Sequence, residues 1–321
     1  MMDKVKVAFI GAGGMANWAH YPSLAEMPDV EMVGICDLDE ERLRTTADKY
    51  GIEGQFRDYN EMIDKTSPDA VYIIMPPHHL FDLVIDCLGR KLNVFIEKPP
   101  GVSSEQTRNM ARAAEKNGCL TMVAFNRRFI PAACAAKERV EARGDMTQCV
   151  ATFYKHNLGA PPYYNGAIDV LSCDAVHAVD ALRWMGGEVV CAASDVRAIH
   201  CEYENSFNAL LSFESGCTGV LLTNWAAGKR VHTLEMHGKG ISTFVDTDEK
   251  AVIYQDNQEE GEEVWSRDIV GSEEPHKTRG FLQENRHFID CVKEGRLPLT
   301  HFGDAVRTME LVDLIYESRM L

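Results

Sequence analysis

The sequence predicts an α/β fold in which a doubly wound parallel sheet is followed by an α+β region with a largely antiparallel open sheet. Three observations support this fold class. A glycine-rich turn at residues 11–16 separates an apolar, β-rich run from a helical pattern, and strand and helix patterns then alternate through residue 125. From residue 189 onward, β-rich runs follow one another across short turns, which is typical of antiparallel strands. We therefore expect two domains, residues 1–125 and residues 126–321.

Length and charge limit the classes of protein to consider. A chain of 321 residues is long enough to form two domains with separate cores. The net charge of −16 argues against nucleic acid as a partner, because phosphate binding needs clustered lysine and arginine. For the same reason, an anionic substrate would need a local basic pocket.

Signals for export, membrane insertion and metal binding are not found. The sequence has no apolar run of roughly eighteen residues, and the apolar stretch near its start is too short for a signal peptide. The ten cysteines form no CxxC pair, and the histidines and cysteines lack the spacing of metal ligands. We expect a cytoplasmic protein with reduced thiols, no metal and no membrane partner.

The elements of the first half follow from local patterns. Apolar β-rich runs predict buried strands, and amphipathic patterns predict the helices between them. Ser103 or Ser104 can cap the last of these helices, and Gly118 can end it. The predicted strands are residues 5–10, 31–36, 70–75, 93–96 and 120–125, and the predicted helices run to residue 24 and over residues 40–49, 80–89 and 104–117.

The second half shows a different order of elements. Predicted helices cover residues 131–142 and 170–185, and two amphipathic helices, residues 278–293 and 303–318, close the chain. Residues 158–166 form a loop, and the acidic run 256–263 is expected to be an exposed hairpin tip. The predicted strands are residues 147–155, 206–214, 218–225, 231–237, 242–246 and 251–254.

The turn after the first strand has the spacing of a dinucleotide-binding fingerprint, GxGxxA. Gly11 permits the tight turn, Gly13 lets the backbone approach a pyrophosphate, and Ala16 is small enough for close packing of helix on strand. The N–H groups at the start of the helix would bind the phosphates. Gly14 and Met15 complete the turn, so we expect residues 11–16 to contact a dinucleotide.

Asp37 ends the second predicted strand. It lies about twenty residues beyond the fingerprint, where an acidic side chain binds the ribose hydroxyls. No arginine stands next to it in the sequence to bind a 2′-phosphate, which favours NAD over NADP. The alternative is that Asp37 caps the helix predicted over residues 40–49.

The tripeptide Glu97–Lys98–Pro99 follows the apolar strand of residues 93–96. A parallel strand ends at the carboxyl edge of its sheet, where ligands bind in open α/β folds. Pro99 and Pro100 lack backbone donors and stop the strand, so Lys98 is expected near the reactive end of a cofactor. The alternative is a surface lysine at a strand end.

Taken together, these motifs resemble the glucose–fructose oxidoreductase, inositol dehydrogenase and MocA family over nearly the whole chain. The resemblance is carried by residues 11–16, Asp37, Pro76–Pro77, residues 97–99, residues 126–129 and residues 174–180, which include Asp174 and His177. It implies redox chemistry with a pyridine nucleotide, mostly on sugars and polyols. It also implies a C-terminal α/β domain whose open sheet serves as an oligomer interface, giving a homodimer or homotetramer.

Two positions depart from the family pattern. Many members have an acidic residue four positions before the histidine of this helix, where the chain has Cys173, and Asp174 lies three before His177. Both spacings share one helical face, so Asp174 can still reach the site. Many members also have a histidine where Leu80 stands, and His79 is the available substitute.

Oxidation of a carbinol needs a group that takes the hydroxyl proton while the cofactor takes the hydride. We expect the two halves of the chain to form one cleft, with His177 as the general base and Lys98 stabilising the developing alkoxide. The reverse assignment, with Lys98 as the proton acceptor, is equally sensible chemically. Asp174 would bind a substrate hydroxyl or orient the imidazole.

The resemblance and the residue types also suggest cofactor and substrate contacts. Of Arg127 and Arg128, one is expected to touch substrate or cofactor and the other to make a salt bridge, and Asp180 is expected to be structural. Lys155 and the tyrosines would bind a sugar by charge-assisted hydrogen bonds and ring stacking. The expected cofactor contacts are Gly11, Gly13, Gly14, Met15, Ala16, Asp37, Pro76, Pro77, Glu97 and Lys98, and the expected substrate contacts are Asn126, Arg127, Lys155, Tyr163 and Tyr164.

The leading hypothesis is an NAD-dependent dehydrogenase that acts on a sugar, polyol or sugar derivative. One alternative is an enzyme that oxidises a sugar transiently, cleaves a glycosidic bond and returns the hydride, keeping its NAD. Another is a cofactor-binding regulator without catalysis, which would be expected to lack Lys98 or His177. The chain has both residues.

Overall fold

The computed structural model describes residues 4–320, which fold into two compact units. Within the described residues, the first unit contains residues 4–125, 275–277 and 281–306, and the second contains residues 126–274, 278–280 and 307–320. The division of the chain into an N-terminal Rossmann domain and a C-terminal substrate and oligomerisation domain at residue 125 remains a prediction. The described residues contain no helix that is both long enough and apolar enough to cross a bilayer.

The first unit is built on a six-stranded parallel sheet with the strand order β3-β2-β1-β4-β5-β6. This order is that of dinucleotide-binding sheets, in which β1 and β4 flank the point where the winding reverses. The strands are β1 Val5–Ile10, β2 Val30–Cys36, β3 Gln55–Phe56, β4 Ala70–Ile73, β5 Asn93–Ile96 and β6 Thr121–Val123. The helices between them are α1 Tyr21–Ala25, which a π-helical segment Ala16–His20 precedes, α2 Glu40–Tyr50, α3 Tyr59–Thr66, α4 Leu80–Gly89 and α5 Ser104–Asn117.

The second unit is built on an eight-stranded sheet with the order β14-β13-β12-β11-β7-β10-β9-β8. All neighbours are antiparallel except β7 and β10, which run parallel. Helices α6 and α7 pack on one face of the sheet. The strands are β7 Gln148–His156, β8 Val189–Arg197, β9 Ser206–Phe213, β10 Thr218–Asn224, β11 Ala226–Gly238, β12 Ile241–Asp246, β13 Lys250–Gln255 and β14 Glu262–Trp265, and the helices are α6 Pro131–Glu141, α7 Val176–Gly186 and α8 Ser266–Val270.

The chain ends in helices α9 Pro275–Thr278, α10 Phe281–Glu294 and α11 Phe302–Glu317. Helix α10 returns to the first unit, where Phe288 packs edge-on against Tyr72 and Phe95. Residues 300–302 then cover β6: the Val123 N–H donates to the Thr300 carbonyl at 2.9 Å, and the Phe302 N–H donates to Thr121 Oγ1 at 3.1 Å. The exposed edge of the parallel sheet is thereby paired.

The structure confirms the predicted fold class and corrects some elements. The helix predicted over residues 278–293 is broken, because Gly280 has φ of +84°, which an α-helix does not allow. Strand β6 is shorter than residues 120–125, and the predictions omit β3, β8, β14, α3 and α8. The acidic run 256–263 forms the expected exposed turn between β13 and β14 only through residue 261, because Glu262 and Glu263 belong to β14.

Candidate functional site

The glycine turn of the first unit lies at the carboxyl end of β1. Gly11 has φ of +112°, and a Cβ there would lie 2.4 Å from the Ile74 carbonyl oxygen. A Cβ on Gly13 or Gly14 would meet no atom within 4 Å, so the backbone of the turn is open to a ligand. Ala16 is fully buried where the helix begins. The turn therefore fits the pyrophosphate of a dinucleotide.

Asp37 is fixed beside this turn. Its Oδ2 accepts from the Ala12 N–H at 2.8 Å, and its Oδ1 accepts from the Asp39 N–H at 2.9 Å. Asp39, rather than Asp37, is the N-cap of α2. No arginine is next to Asp37 in the sequence, but in the fold Arg42, in the first turn of α2, places Nη2 3.5 Å from Asp37 Oδ1.

The Glu97–Lys98–Pro99 step leaves β5 as expected, and Glu97 is buried there. Glu97 Oε1 lies 3.0 Å from His20 Nε2, and Glu97 Oε2 accepts from the Lys98 N–H at 3.0 Å. The other ring nitrogen of His20 lies 3.2 Å from Asn285 Nδ2. Glu97 thus links the backbone of Lys98 to His20 in the π-helical segment. The Lys98 side chain is partly exposed.

The Pro76–Pro77 step follows β4, which lies across the winding reversal from β1. Pro77 is buried and begins a short 3₁₀ turn that contains His78 and His79. Both histidines are exposed, with ring centroids 4.0 Å apart. Whether His79 serves in place of the family histidine stays a prediction.

Asp174 and His177 lie on neighbouring turns of one helix in the second unit. A π-helical segment Leu171–Ala175 carries Asp174, and α7 begins directly after it and carries His177. Both side chains are buried. π-Helical turns are uncommon and are often found at functional sites, so this local geometry supports a site here.

Asp174 is the centre of a polar cluster, which we call the Asp174 cluster: Asp174, Lys155, Tyr163 and Trp225. Asp174 Oδ2 accepts from the Tyr163 hydroxyl at 2.7 Å and forms an ion pair with Lys155. Trp225 Nε1 donates to the Tyr163 hydroxyl oxygen at 3.1 Å. Burial, followed by the negative charge of Asp174, raises the pKa of Tyr163 above its usual range, so the tyrosine stays a donor.

The two adjacent arginines have different surroundings. Arg128 forms a bidentate ion pair with Asp180, with Nε to Oδ2 at 2.8 Å and Nη2 to Oδ1 at 2.6 Å. Asp180 Oδ1 also accepts from the Thr308 hydroxyl at 2.8 Å. Arg128 therefore makes the expected salt bridge. Arg127 donates from Nε to His232 Nδ1 at 3.3 Å.

The two remaining residues expected at the substrate differ in burial. Asn126 is buried, and its amide donates to the Arg279 carbonyl at 2.8 Å. Tyr164 is 45% exposed and has φ of +49°. Its role in stacking on a sugar stays a prediction.

The sequence predictions missed Trp225 and His232. His232 pairs with Phe153 across strands β11 and β7, and the two rings stack with centroids 4.2 Å apart. Lys155 Nζ lies 5.1 Å from the Phe153 ring centroid and 5.7 Å from that of Trp225. These neighbours depend on the register of strands far apart in the sequence, and a single sequence carries no signal for that register.

The sheet order and the glycine turn define a dinucleotide-binding fold, and comparison with known proteins identifies the family as one of oxidoreductases. Residues 5–125 match the oxidoreductase family with an NAD-binding Rossmann fold, GFO_IDH_MocA, and residues 137–242 match the GFO/IDH/MocA C-terminal domain. The chain belongs to this family, as its motifs suggested. Residues 5–125 match an NAD-binding Rossmann fold, which confirms the expected cofactor.

Curated relatives and solved structures agree with this assignment. The chain is 24% identical to the scyllo-inositol 2-dehydrogenase (NAD(+)) of Bacillus subtilis, over 97% of this chain and 93% of that protein. It is 26% identical to the myo-inositol 2-dehydrogenase of Thermotoga maritima, over 92% and 90%. Levoglucosan dehydrogenase, in its complex with NADH and levoglucosan, has a TM-score of 0.87 at 20% identity and covers 98% of this chain and 97% of that one.

Proposed function

We propose that this protein is an NAD-dependent dehydrogenase that transfers a hydride between the nicotinamide and a carbinol carbon of a sugar, polyol or sugar derivative. The observation that carries the proposal is the Asp174 cluster beside His177, in a chain with an NAD-binding domain. The cluster combines the buried Asp174 and Trp225 with the half-buried Lys155 and Tyr163. Such a set of hydrogen-bond donors and acceptors suits a polyhydroxylated substrate. The relatives named above are a scyllo-inositol 2-dehydrogenase, a myo-inositol 2-dehydrogenase and a levoglucosan dehydrogenase.

In the proposed mechanism, bound NAD supplies the hydride acceptor. His177 takes the hydroxyl proton as general base, and in the reverse direction it donates that proton. Lys98 binds the reacting oxygen as a cation and stabilises negative charge on it. The assignment in which Lys98 takes the proton is tested by the same variants.

The Asp174 cluster would orient the substrate. Lys155 and Tyr163 hold one oxygen of Asp174, which fixes the carboxylate so that it can accept from a substrate hydroxyl. Trp225 fixes the Tyr163 hydroxyl in turn. Asn126, Arg127 and Tyr164 complete the proposed substrate contacts.

The proposed cofactor contacts lie at the carboxyl edge of the parallel sheet. The turn would bind the pyrophosphate, Asp37 the adenosine ribose, and the residues after β4 and β5 the nicotinamide end. These are Gly11, Gly13, Gly14, Met15, Ala16, Asp37, Pro76, Pro77, Glu97 and Lys98.

The mechanism is tested with Lys98→Met and His177→Ala, measuring NAD affinity by calorimetry and turnover by NADH absorbance over a panel of polyols and aldoses. We expect each variant to keep NAD affinity within about threefold and to lose at least a hundredfold in kcat, in line with loss of acid–base or oxyanion stabilisation. The matched controls are the exposed Lys116→Met and His156→Ala, which should retain activity. Turnover at the wild-type rate in either test variant would remove that residue from the mechanism.

The same assay separates the dehydrogenase from the enzyme that keeps its NAD. Net accumulation of NADH with a polyol supports the dehydrogenase. Tightly bound NAD in the purified protein, cleavage of a glycoside and no net NADH would instead support transient oxidation.

We also propose that the protein is a homodimer or homotetramer assembled through the sheet of the second unit. Leu210 and Phe244 belong to one register row that crosses β9, β10, β7, β11 and β12, on the face opposite α6 and α7. They are 56% and 42% exposed. Light scattering after size exclusion should show an oligomer that Leu210→Asp dissociates, whereas Ile269→Asp, at an exposed site on α8, should not.

The proposed location is the cytoplasm, supported by ten cysteines without a disulfide. Fractionation of the source cells is the direct measurement. Recovery of the protein from a membrane or exported fraction would contradict it.

A further inference from the structure

Arg127 is a buried cation without a carboxylate partner in the described part of the chain. Its residue surface is 8% exposed, and its side chain donates to His232 alone among residues 4–320. No carboxylate oxygen of these residues lies within 4.0 Å of the guanidinium nitrogens. By contrast, the neighbouring Arg128 is paired with a carboxylate: Asp180 accepts from its Nε and Nη2.

His232 does not neutralise Arg127. Because His232 Nδ1 accepts from Arg127, the ring proton of the neutral imidazole lies on Nε2. Burial, and then the positive charges of Arg127 and Arg230, lower the pKa of His232 well below its usual value. Burial also lowers the pKa of Arg127 to about 10, which leaves it charged at neutral pH.

The side chains around Arg127 carry more positive than negative charge. Lys155 pairs with Asp174, while Arg230 and Arg279 share Asp248, with Arg279 Nε 3.5 Å from Asp248 Oδ1. Asp174 and Asp248 act on Arg127 from a distance, and Arg230 and Arg279 oppose them. Positive charge therefore exceeds negative charge here, in a chain whose net charge is −16.

We propose that Arg127 binds the carboxylate of an acidic sugar, a uronate or an aldonate, as the substrate of this enzyme. The terminal nitrogens Nη1 and Nη2 of Arg127 donate to no described residue, and neither is among the fully occluded polar atoms. A guanidinium edge with two free donors matches the two oxygens of a carboxylate. The inference rests on the proposed dehydrogenase function and names the class of its substrate.

A carboxylate fits this site better than a phosphate ester. Asp174 and Asp248 are close enough to influence Arg127, so a dianion would meet more repulsion than a monoanion. Only Arg127 is left without a carboxylate among the four cations around this position, which suits a single negative charge.

The test compares acids with their neutral counterparts in the intact NAD-containing enzyme. The pairs are D-glucuronate with D-glucose, D-galacturonate with D-galactose, and D-gluconate with D-glucitol, and D-glucose 6-phosphate tests the phosphate. We expect at least one acid to exceed its neutral partner tenfold or more in kcat/KM. Equal or lower values for every acid, or preference for the phosphate ester, would overturn the proposal.

Variants assign the preference to Arg127. Arg127→Met should reduce the ratio of kcat/KM for the acid to that for its neutral partner to about one, mainly by raising KM for the acid. Arg127→Lys should give an intermediate ratio, because it keeps the positive charge but not the paired donors of the guanidinium. Arg197→Met, at an exposed arginine of the same unit, should leave the ratio unchanged. An unchanged ratio in Arg127→Met would show a structural role and contradict the proposal. If Arg127→Met does not fold, Arg127→Lys decides the question in the same way.

Failure of the proposed function would be recognised separately. If no compound yields NADH, the dehydrogenase proposal fails, and calorimetric titration of the three acids into the NAD-containing protein still tests the subsite. Binding that Arg127→Met weakens at least tenfold would support the carboxylate site. Absence of binding by all three acids, or binding that the variant leaves unchanged, would overturn it.

Discussion

Arg128 and Asp180 show how one residue pair can hold the second unit together. Their side chains are 4% and 1% exposed and joined by two hydrogen bonds. Arg128→Met leaves a buried carboxylate with the Thr308 hydroxyl as a remaining partner, and we expect a loss of about 3–5 kcal/mol in the free energy of unfolding, measured with urea.

The control for this loss is a pair substitution. Arg128→Met combined with Asp180→Leu removes both charges and should recover more than half of the lost stability, because no ion remains buried. Arg139→Met, which breaks an exposed ion pair with Glu262, should cost less than about 1 kcal/mol. A loss below that level in Arg128→Met would show that the buried pair contributes little.

We expect Asp37 to influence the choice of cofactor, because it lies 3.5 Å from the Arg42 guanidinium. We expect Asp37→Ser to raise kcat/KM for NADP at least tenfold and to lower it for NAD, because the ribose acceptor is lost and Arg42 becomes available to a 2′-phosphate. Asp39 lies 3.2 Å from the same guanidinium but caps α2. Asp39→Ala should therefore cost about 1 kcal/mol of stability without improving use of NADP. Equal effects of the two substitutions would contradict this role of Asp37.

We expect His232 to make the stability of the second unit depend on pH. Its folded pKa lies below the ordinary value of about 6.5, so below that pH the unfolded chain binds more protons and the folded state loses stability. His232→Gln should reduce the slope of unfolding free energy against pH, between pH 5 and 6, by roughly 1 kcal/mol per pH unit. His287 belongs to the first unit, and because burial also lowers its pKa it should make a separate contribution there. A slope that His232→Gln leaves unchanged would contradict the assignment.

At the scale of elements, Gly280 sets the break between α9 and α10. A Cβ there would lie 2.5 Å from the Asn126 carbonyl oxygen and 2.8 Å from the Ile130 nitrogen, both in the second unit with it. Gly280→Ala should cost at least about 2 kcal/mol in unfolding free energy. Gly295 has φ of +64° with open space around its Cβ position, so Gly295→Ala should cost only about 1 kcal/mol. Similar losses for both would show that crowding at Gly280 is relieved.

Most elements could be predicted because their patterns are local. Strand β5 and helix α4 have the predicted bounds, and Ser103 and Gly118 cap α5 as expected. Strand β3 has two residues, too few for a periodic pattern, and it was missed. The break at Gly280 was also missed, because the amphipathic pattern continues across it and only tertiary crowding requires the turn.

The candidate site was predictable only in part. The resemblance selected Asp174 and His177, and the structure shows that Lys155 and Tyr163 reach the same carboxylate. The resemblance could not show that Trp225 and His232 are neighbours of these residues, because the contacts arise from the pairing of β7 with β10 and β11. Arg42 was overlooked for a similar reason. It is five residues from Asp37 in the sequence, but the first turn of α2 places its guanidinium beside the Asp37 carboxylate.

At the scale of the molecule, the first unit includes a late segment of the chain, residues 281–306. Phe288 fills its core against Tyr72 and Phe95, and residues 300–302 pair with its edge strand. We expect residues 1–125 alone to aggregate or to lack a cooperative urea transition by circular dichroism. Residues 1–125 joined by a flexible linker to residues 275–306 should show that transition. Cooperative unfolding of residues 1–125 alone would contradict this dependence.

The late position of residues 281–306 has a consequence for the nascent chain. On the ribosome, the last part of the nucleotide-binding half emerges roughly 180 residues after Phe125. At ordinary rates of translation this delay is about ten to forty seconds. During that interval the parallel sheet is synthesised without the residues that pair with its edge strand, so we expect that strand to be accessible to chaperones.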